Sequence, residues 1–201
     1  MWVSFFIVSL IWIWPQCGFS EWYKRDEPIM GTRVFVELWH DDPAKAALLM
    51  QGVMDEMERI NQLMIPYKTS SELARVNRDA ATAPVQVSQE LFDLVQKANH
   101  YSDLSGGAFD ITFASVGHQF DYRNRRRPGQ QEQATAAALI GYRSLKLDPV
   151  TRTLEFGKPG MRIDLGGIAK GYAVDQAVSG LLAAGVEHAI VTAGGDSHLI
   201  G

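Results

Sequence analysis

The sequence predicts an α+β domain in which mixed or antiparallel sheets are flanked by helices. Three observations predict it: short segments alternate with period two, longer ones repeat apolar residues at helical spacing, and strands and helices follow no regular βαβ rhythm. At 201 residues, 46% hydrophobic and 21% charged, the chain can bury one full core, with room for a second small lobe.

Residues 1–20 are a different material. Trp2 to Trp14 is almost uninterrupted apolar sequence, and Met1 to Ser20 holds no Lys, Arg, Asp or Glu. The run is shorter than the roughly 20 residues of a spanning helix and stops at Pro15. Gly18 and Ser20 supply small residues at the −3 and −1 positions of a cleavage site before Glu21, so 1–20 is expected to be a signal peptide or an N-terminal anchor, and 21–201 the folded domain. Cys17 is the single cysteine, which excludes an internal disulfide and a thiolate zinc cluster. Its lipidation is disfavoured, because Trp14-Pro15-Gln16 departs from the small and aliphatic residues such a site needs.

Within the domain, Val34, Val36 and Leu38 alternate with Arg33, Phe35 and Glu37, predicting a strand over 30–39 at a sheet edge or in a hairpin. Asp41-Asp42-Pro43 starts a helix, along which Ala47, Met50, Met54, Met57 and Met64 recur at helical spacing and read as core filler rather than a binding surface. The polar stretch 66–77 is too rich in specific side chains to be a linker. Ser88 caps a second helix carrying Leu91, Leu94, Val95 and Ala98, which ends near Gly106-Gly107. Ser144–Leu147 and Thr153–Phe156 flank a turn and predict a β-hairpin. A further strand should end near Asp164, followed by a helix from about 168 to 184 with Gly185 as its stop, and a last strand over 189–192.

The net charge of −4 excludes a non-specific nucleic-acid binder, and the one basic cluster, Arg123-Asn124-Arg125-Arg126-Arg127, reads as a solvated loop. Chemistry concentrates at three glycine-rich knots. In Arg162-Ile163-Asp164-Leu165-Gly166-Gly167-Ile168-Ala169-Lys170, two glycines let a ligand or a second backbone approach where a helix begins. The exposed N–H groups and dipole of that helix suit a phosphate, yet the pattern matches neither G-x-x-x-x-G-K-[ST] nor G-x-G-x-x-G. Locally, a phosphate site and a merely structural turn both remain open. The second and third knots, Ser105-Gly106-Gly107-Ala108-Phe109-Asp110-Ile111-Thr112 and Ala193-Gly194-Gly195-Asp196, read equally as helix caps and tight turns or as site loops.

Taken in order, these knots together with Met30-Gly31-Thr32, Tyr67 and Ser70-Ser71-Glu72-Leu73-Ala74-Arg75-Val76-Asn77 resemble the ApbE family, the FAD:protein FMN transferases, from about Met30 to Gly201. The resemblance implies an ApbE-like, T-fold-related domain. It further implies a magnesium-dependent enzyme that moves FMN from FAD onto a threonine or serine hydroxyl of a target protein and releases AMP. Met30, Tyr67, Ala108, Phe109, Asp110, Asp164 and Lys170 fall on family positions that line the FAD site, and Gly167 falls where a backbone oxygen helps hold Mg2+. No general base is assigned. Two alternatives stand beside transfer: holding or scavenging FAD without transfer, and magnesium-dependent hydrolysis of FAD to FMN and AMP. The family pattern continues beyond the Gly-Gly-Asp segment through further metal ligands, so the domain is expected to be C-terminally incomplete, as a fragment of a longer protein in preference to a decayed one. The implied partners are FAD and flavoprotein subunits of membrane electron-transfer complexes, in the periplasm or at the bacterial inner membrane, with membrane association through the N-terminus.

Overall fold

The computed structural model describes residues 20–121 and 124–201. The leader expected over 1–20, apart from Ser20, and Arg123 of the basic cluster therefore lie outside the described residues. The chain forms two antiparallel sheets and six α-helices among those residues, the α+β class that the sequence predicts.

The larger sheet has the order β1-β2-β6-β7, with β1 at Glu21–Ile29, β2 at Thr32–His40, β6 at Ala189–Ala193 and β7 at Asp196–Ile200. Both of its hairpins close on two residues. Met30 and Gly31 take φ of 55° and 69° between the paired Ile29 and Thr32, the left-handed pair that matches strand twist in a tight hairpin. Gly194, at φ 64°, opens the Gly194-Gly195 turn between Ala193 and Asp196.

Two expectations are corrected here. β2 belongs to a hairpin as expected, but it is an interior strand rather than an edge, because β6 pairs along its other side. Alternation showed one buried face, and Val34, Val36 and Leu38 are indeed fully buried, but a pattern of faces carries no information about lateral neighbours. The strand over 189–193 is likewise not the last: β7 returns beside it.

α1 (Pro43–Met64) is capped by Asp42, whose carboxylate accepts from the amides of Ala44 and Lys45 at 2.9 and 3.1 Å, with Pro43 at the first helical position. Met50, Met54, Met57 and Met64 are all buried, as core filler should be. Ala46, not Ala47, shares their face. α2 (Glu72–Asp79) starts at the Ser71 cap, and β3 (Val85–Gln86) leads into α3 (Gln89–Leu104), capped by Ser88. The Glu72 carboxylate receives both the amide and the hydroxyl of Ser88, at 3.0 and 2.9 Å, which ties the start of α2 to the start of α3.

After α3 the chain makes a 3-10 turn at Ile111–Phe113, the one-turn helix α4 (Ala114–Gly117) and α5 (Gln130–Ala137). β4 (Leu145–Asp148) and β5 (Thr153–Phe156) then form the expected hairpin, and β3 adds to β5 to complete a small sheet of order β3-β5-β4. α6 (Ala169–Ala183) packs on α1, and Gly185 ends it at φ 82°. The Tyr172 hydroxyl donates to Glu90 at 2.8 Å, while Arg59 binds Glu90 through two nitrogens at 2.7 Å each and reaches Glu56 on its own helix. This network joins α1, α3 and α6. Arg59 holds the Glu90 carboxyl below its ordinary range, and burial beside Glu90 pushes the Tyr172 hydroxyl up.

The strand expected to end near Asp164 is absent from both sheets. Residues 161–165 alternate as a strand would, with Met161, Ile163 and Leu165 buried and Arg162 and Asp164 turned outward. Their backbone partners, however, are not a neighbouring strand.

Candidate active site: the cavity at the start of the sixth helix

Asp164 and the two glycines make the turn that aims α6. The Asp164 carboxylate accepts from the Gly166 amide at 2.6 Å, and a β-carbon at Gly166 would stand 2.8 Å from that same oxygen. A side chain at position 166 would therefore displace the Asp164 carboxylate. The Leu165 carbonyl accepts from Ile168 and Ala169 at 2.8 and 2.7 Å to begin the helix, whose cap residue Ile168 offers no side-chain acceptor to the first turn. Gly167 meets a different neighbour: a β-carbon there would approach Phe109 Cε2 to 3.1 Å, so the ring lies close against bare backbone.

In front of this turn opens a cavity of about 650 Å³. That is within the roughly 300–1,000 Å³ of small-molecule and cofactor sites. Tyr67, Ala108, Phe109, Asp110, Asp164 and Gly167 line it, six of the eight positions singled out by the sequence. Phe109 also borders a second, apolar cavity of about 460 Å³ with Tyr101, Leu104 and Ile168, so its ring divides two spaces. Tyr67 is 82% exposed and stands at the rim.

Asp110 is held by its own neighbours. One carboxylate oxygen accepts from the amide and hydroxyl of Thr112 at 2.8 and 2.6 Å, and the other accepts from the Tyr142 amide at 3.0 Å. The Thr112 hydroxyl in turn accepts from the Gly141 amide at 2.8 Å. Asp110 thus caps the turn at Ile111–Phe113 and pins the 141–142 loop behind the cavity wall. Tyr142 in turn donates its hydroxyl to Asp103 at 2.8 Å, a bond that pushes the phenol above its ordinary range.

Met30 and Lys170 do not line the cavity. Met30 sits in the β1–β2 turn, packed against the core. The Lys170 ammonium donates to the Gly166 carbonyl at 2.6 Å, and its stem runs beside Gly194, which also faces Thr32. The two glycine turns of the larger sheet and the start of α6 are therefore neighbours, with Lys170 linking Gly194 to the Asp164 turn.

Several lining residues carried no assigned role in the sequence, among them Asn77, His118, Arg162 and Ile163. Asn77 ends the Ser70–Asn77 segment and Arg162 opens the segment that carries Asp164, but nothing in their spacing marks a cavity wall. His118 Nδ1 lies 2.8 Å from the Ala114 carbonyl. The Arg162 side chain extends outward at the cavity as its fixed positive charge. Among the described residues, no three His, Cys, Asp or Glu side chains are grouped so as to hold a metal ion. The oxygens at the turn are the Asp164 carboxylate, which accepts from the Gly166 amide, the Gly166 carbonyl, which accepts from Lys170, and the Gly167 carbonyl.

Comparison with known proteins gives one answer throughout. A relative from Klebsiella pneumoniae named FAD:protein FMN transferase is 28% identical over 181 residues, covering 89% of this chain and 56% of its own length. One of the same name from Treponema pallidum is 27% identical, over 89% of this chain and 52% of its own. The chain thus spans about half the length of the curated relatives it matches. Among solved structures, the flavin transferase ApbE from Vibrio cholerae superposes with a TM-score of 0.82 at 28% identity, over 90% of this chain and 60% of that one. The family model described as "ApbE family" matches residues 30–201, and with the fold in agreement, the chain belongs to the ApbE family.

Proposed function

We propose that the cavity before α6 binds FAD, and that the complete protein transfers the FMN half of FAD to a threonine or serine hydroxyl of a target flavoprotein. One observation carries the reading: six positions spread from Tyr67 to Gly167 converge on a single cavity that opens at the start of α6. Relatives named for this transfer support it.

In the proposed reaction the acceptor oxygen attacks the phosphorus of the FMN half. The bond from that phosphorus to the bridging oxygen breaks, AMP departs with the bridging oxygen, and the hydroxyl proton leaves to solvent. The residues of this chain bind and orient. The wall of Phe109 and Ala108 takes apolar ring surface, and Arg162 offers a positive charge to the diphosphate. The Asp164 turn presents the uncapped start of α6, whose dipole favours an anion. For Mg2+, the Asp164 carboxylate and the Gly167 carbonyl fit as hard oxygen donors, and diphosphate oxygens and water would supply the others. When bound, the ion neutralises charge on the diphosphate and the leaving AMP. The target flavoprotein subunits, membrane electron-transfer complexes and periplasmic setting belong to the same proposal.

The test uses the complete protein with FAD, magnesium and a target carrying an Asp-x-x-[Ser/Thr]-Gly-Ala-[Ser/Thr] segment. The expected result is covalent in-gel flavin fluorescence on the target. FMN and AMP appearing without an acceptor would instead identify a hydrolase, and bound FAD with neither product a binding protein.

A further inference from the structure

The segment that carries Asp164 is extended and alternates like a strand, yet it belongs to no sheet. Two side chains from distant parts of the chain take the place of the missing strand. Asn77, at the end of α2, accepts from the Ile163 amide at 2.8 Å through Oδ1 and donates to the Ile163 carbonyl at 2.9 Å through Nδ2. Ser115, in α4 and fully buried, accepts from the Arg162 amide at 3.0 Å and lies 3.3 Å from the Arg162 carbonyl as its donor. The Ile111 carbonyl then accepts from the Asp164 amide at 3.0 Å. Each polar backbone group of residues 162 and 163 is thereby paired with a side chain, which is the satisfaction that an isolated extended segment otherwise lacks.

We infer that Asn77 and Ser115 are positioning residues, a side-chain clamp that fixes the register of 162–164 and so keeps the Asp164 carboxylate on the cavity wall. The clamp matters because register in an extended segment is a choice between two faces. Met161, Ile163 and Leu165 are each about 1% exposed or less, with Ile163 bordering the cavity from its buried face, while Arg162 and Asp164 line it with outward-turned side chains. A shift of one residue would turn both charged side chains toward the core and the apolar ones outward. Within a sheet, several neighbours would oppose that shift. Here the reciprocal Asn77 bonds, which match one residue's amide and carbonyl together, do the selecting. As a statement about ligand binding the inference rests on the cavity being the FAD site; as a statement about the segment it does not.

The experiment uses the full chain and three variants, Asn77→Asp, Asn77→Ala and Ser115→Ala. In unliganded protein, Ser115→Ala is expected to speed hydrogen exchange of the Arg162 amide at least tenfold, and Asn77→Ala to do the same at Ile163. Amides in the β2–β6 ladder should exchange at the wild-type rate. Asn77→Asp supplies the readout that a merely structural role would not move. Its ionised carboxylate still accepts from the Ile163 amide but faces the Ile163 carbonyl without a proton to donate, whereas the protonated acid restores the donor. FAD affinity should therefore be depressed about tenfold at pH 8 in Asn77→Asp, recovering toward the wild-type value at pH 4, and also depressed at pH 8 in Ser115→Ala, which adds no charge and does not line the cavity. A relative affinity of Asn77→Asp that does not change with pH, or exchange at 162 and 163 unaltered in the alanine variants, overturns the clamp. Should the wild-type chain bind no FAD at either pH, the FAD reading fails, and the exchange rates alone decide the clamp. If Asn77→Ala does not fold, Ser115→Ala and Asn77→Asp still decide it.

Discussion

Substituting Gly166 by alanine isolates the contribution of the Asp164 turn. Gly166 is not among the residues with positive φ, so alanine can take its backbone conformation, and the whole effect is steric. The new β-carbon would stand 2.8 Å from Asp164 Oδ1. Carbon–oxygen contacts close comfortably at about 3.3 Å, so the carboxylate must retreat by roughly 0.5 Å. That retreat stretches its 2.6 Å bond from the Gly166 amide beyond good geometry. A hydrogen bond to a charged group contributes about 1.5–3 kcal/mol, and solvent access at this exposed turn reduces the loss to about 1 kcal/mol. In a domain of this size that lowers the melting temperature by about 2–4 °C. FAD affinity should fall about five- to tenfold, because the displaced carboxylate is the one that faces the cavity. Calorimetric melting and titration of flavin fluorescence measure the two effects. Gly185→Ala is the control: its φ of 82° imposes strain in open space at the far end of α6, so stability falls while FAD affinity holds. Wild-type affinity and melting temperature in Gly166→Ala would refute the steric argument.

Two further outcomes are expected. Asp110→Asn sets an amide donor against either the Tyr142 amide or the Thr112 donors, and the unsatisfied group should cost about 1–3 kcal/mol, read as a lower denaturant midpoint with unchanged slope. The second concerns acid. The folded pKa of Glu90 lies below its ordinary 4.5, so its stabilising contribution is complete above that value and disappears as pH falls through the lower folded one. The stability difference between wild type and Glu90→Gln should accordingly be largest near neutrality and shrink as pH falls below the ordinary 4.5, followed as melting temperature against pH; a difference that stays constant on acidification would remove Glu90 from the network linking α1, α3 and α6.

Elements with local causes were legible in the sequence. Asp42-Pro43 and Ser88 set helix starts through bonds to amides two or three residues on, and Gly185 ends α6 by its own conformation. β1 was missed because its side chains, Glu-Trp-Tyr-Lys-Arg-Asp-Glu, are charged or aromatic along an edge that buries little. β7 is mostly exposed and equally short of apolar signal. Residues 161–164 read as a strand because periodicity records which way side chains point. It is silent on whether the backbone partner is another strand or the amide of Asn77. The cavity followed the same division. Asp164, Phe109 and Gly167 were identified through a family pattern, whereas Asn77 and Ser115 act through contacts 86 and 47 residues away and leave no local trace.

Those separations have a kinetic consequence. Segments whose bonds are short in sequence, such as α1 or the β1–β2 hairpin, can form while the rest of the chain is still disordered, on microsecond scales. The wall bearing Asp164 has no such option. Its two bonds to Asn77 close a loop of 86 residues and its bonds to Ser115 one of 47, so loop-closure entropy is spent before either is made. Ordering of the cavity is thus coupled to assembly of the whole domain, and an intermediate with native helices alone would carry no formed cavity wall.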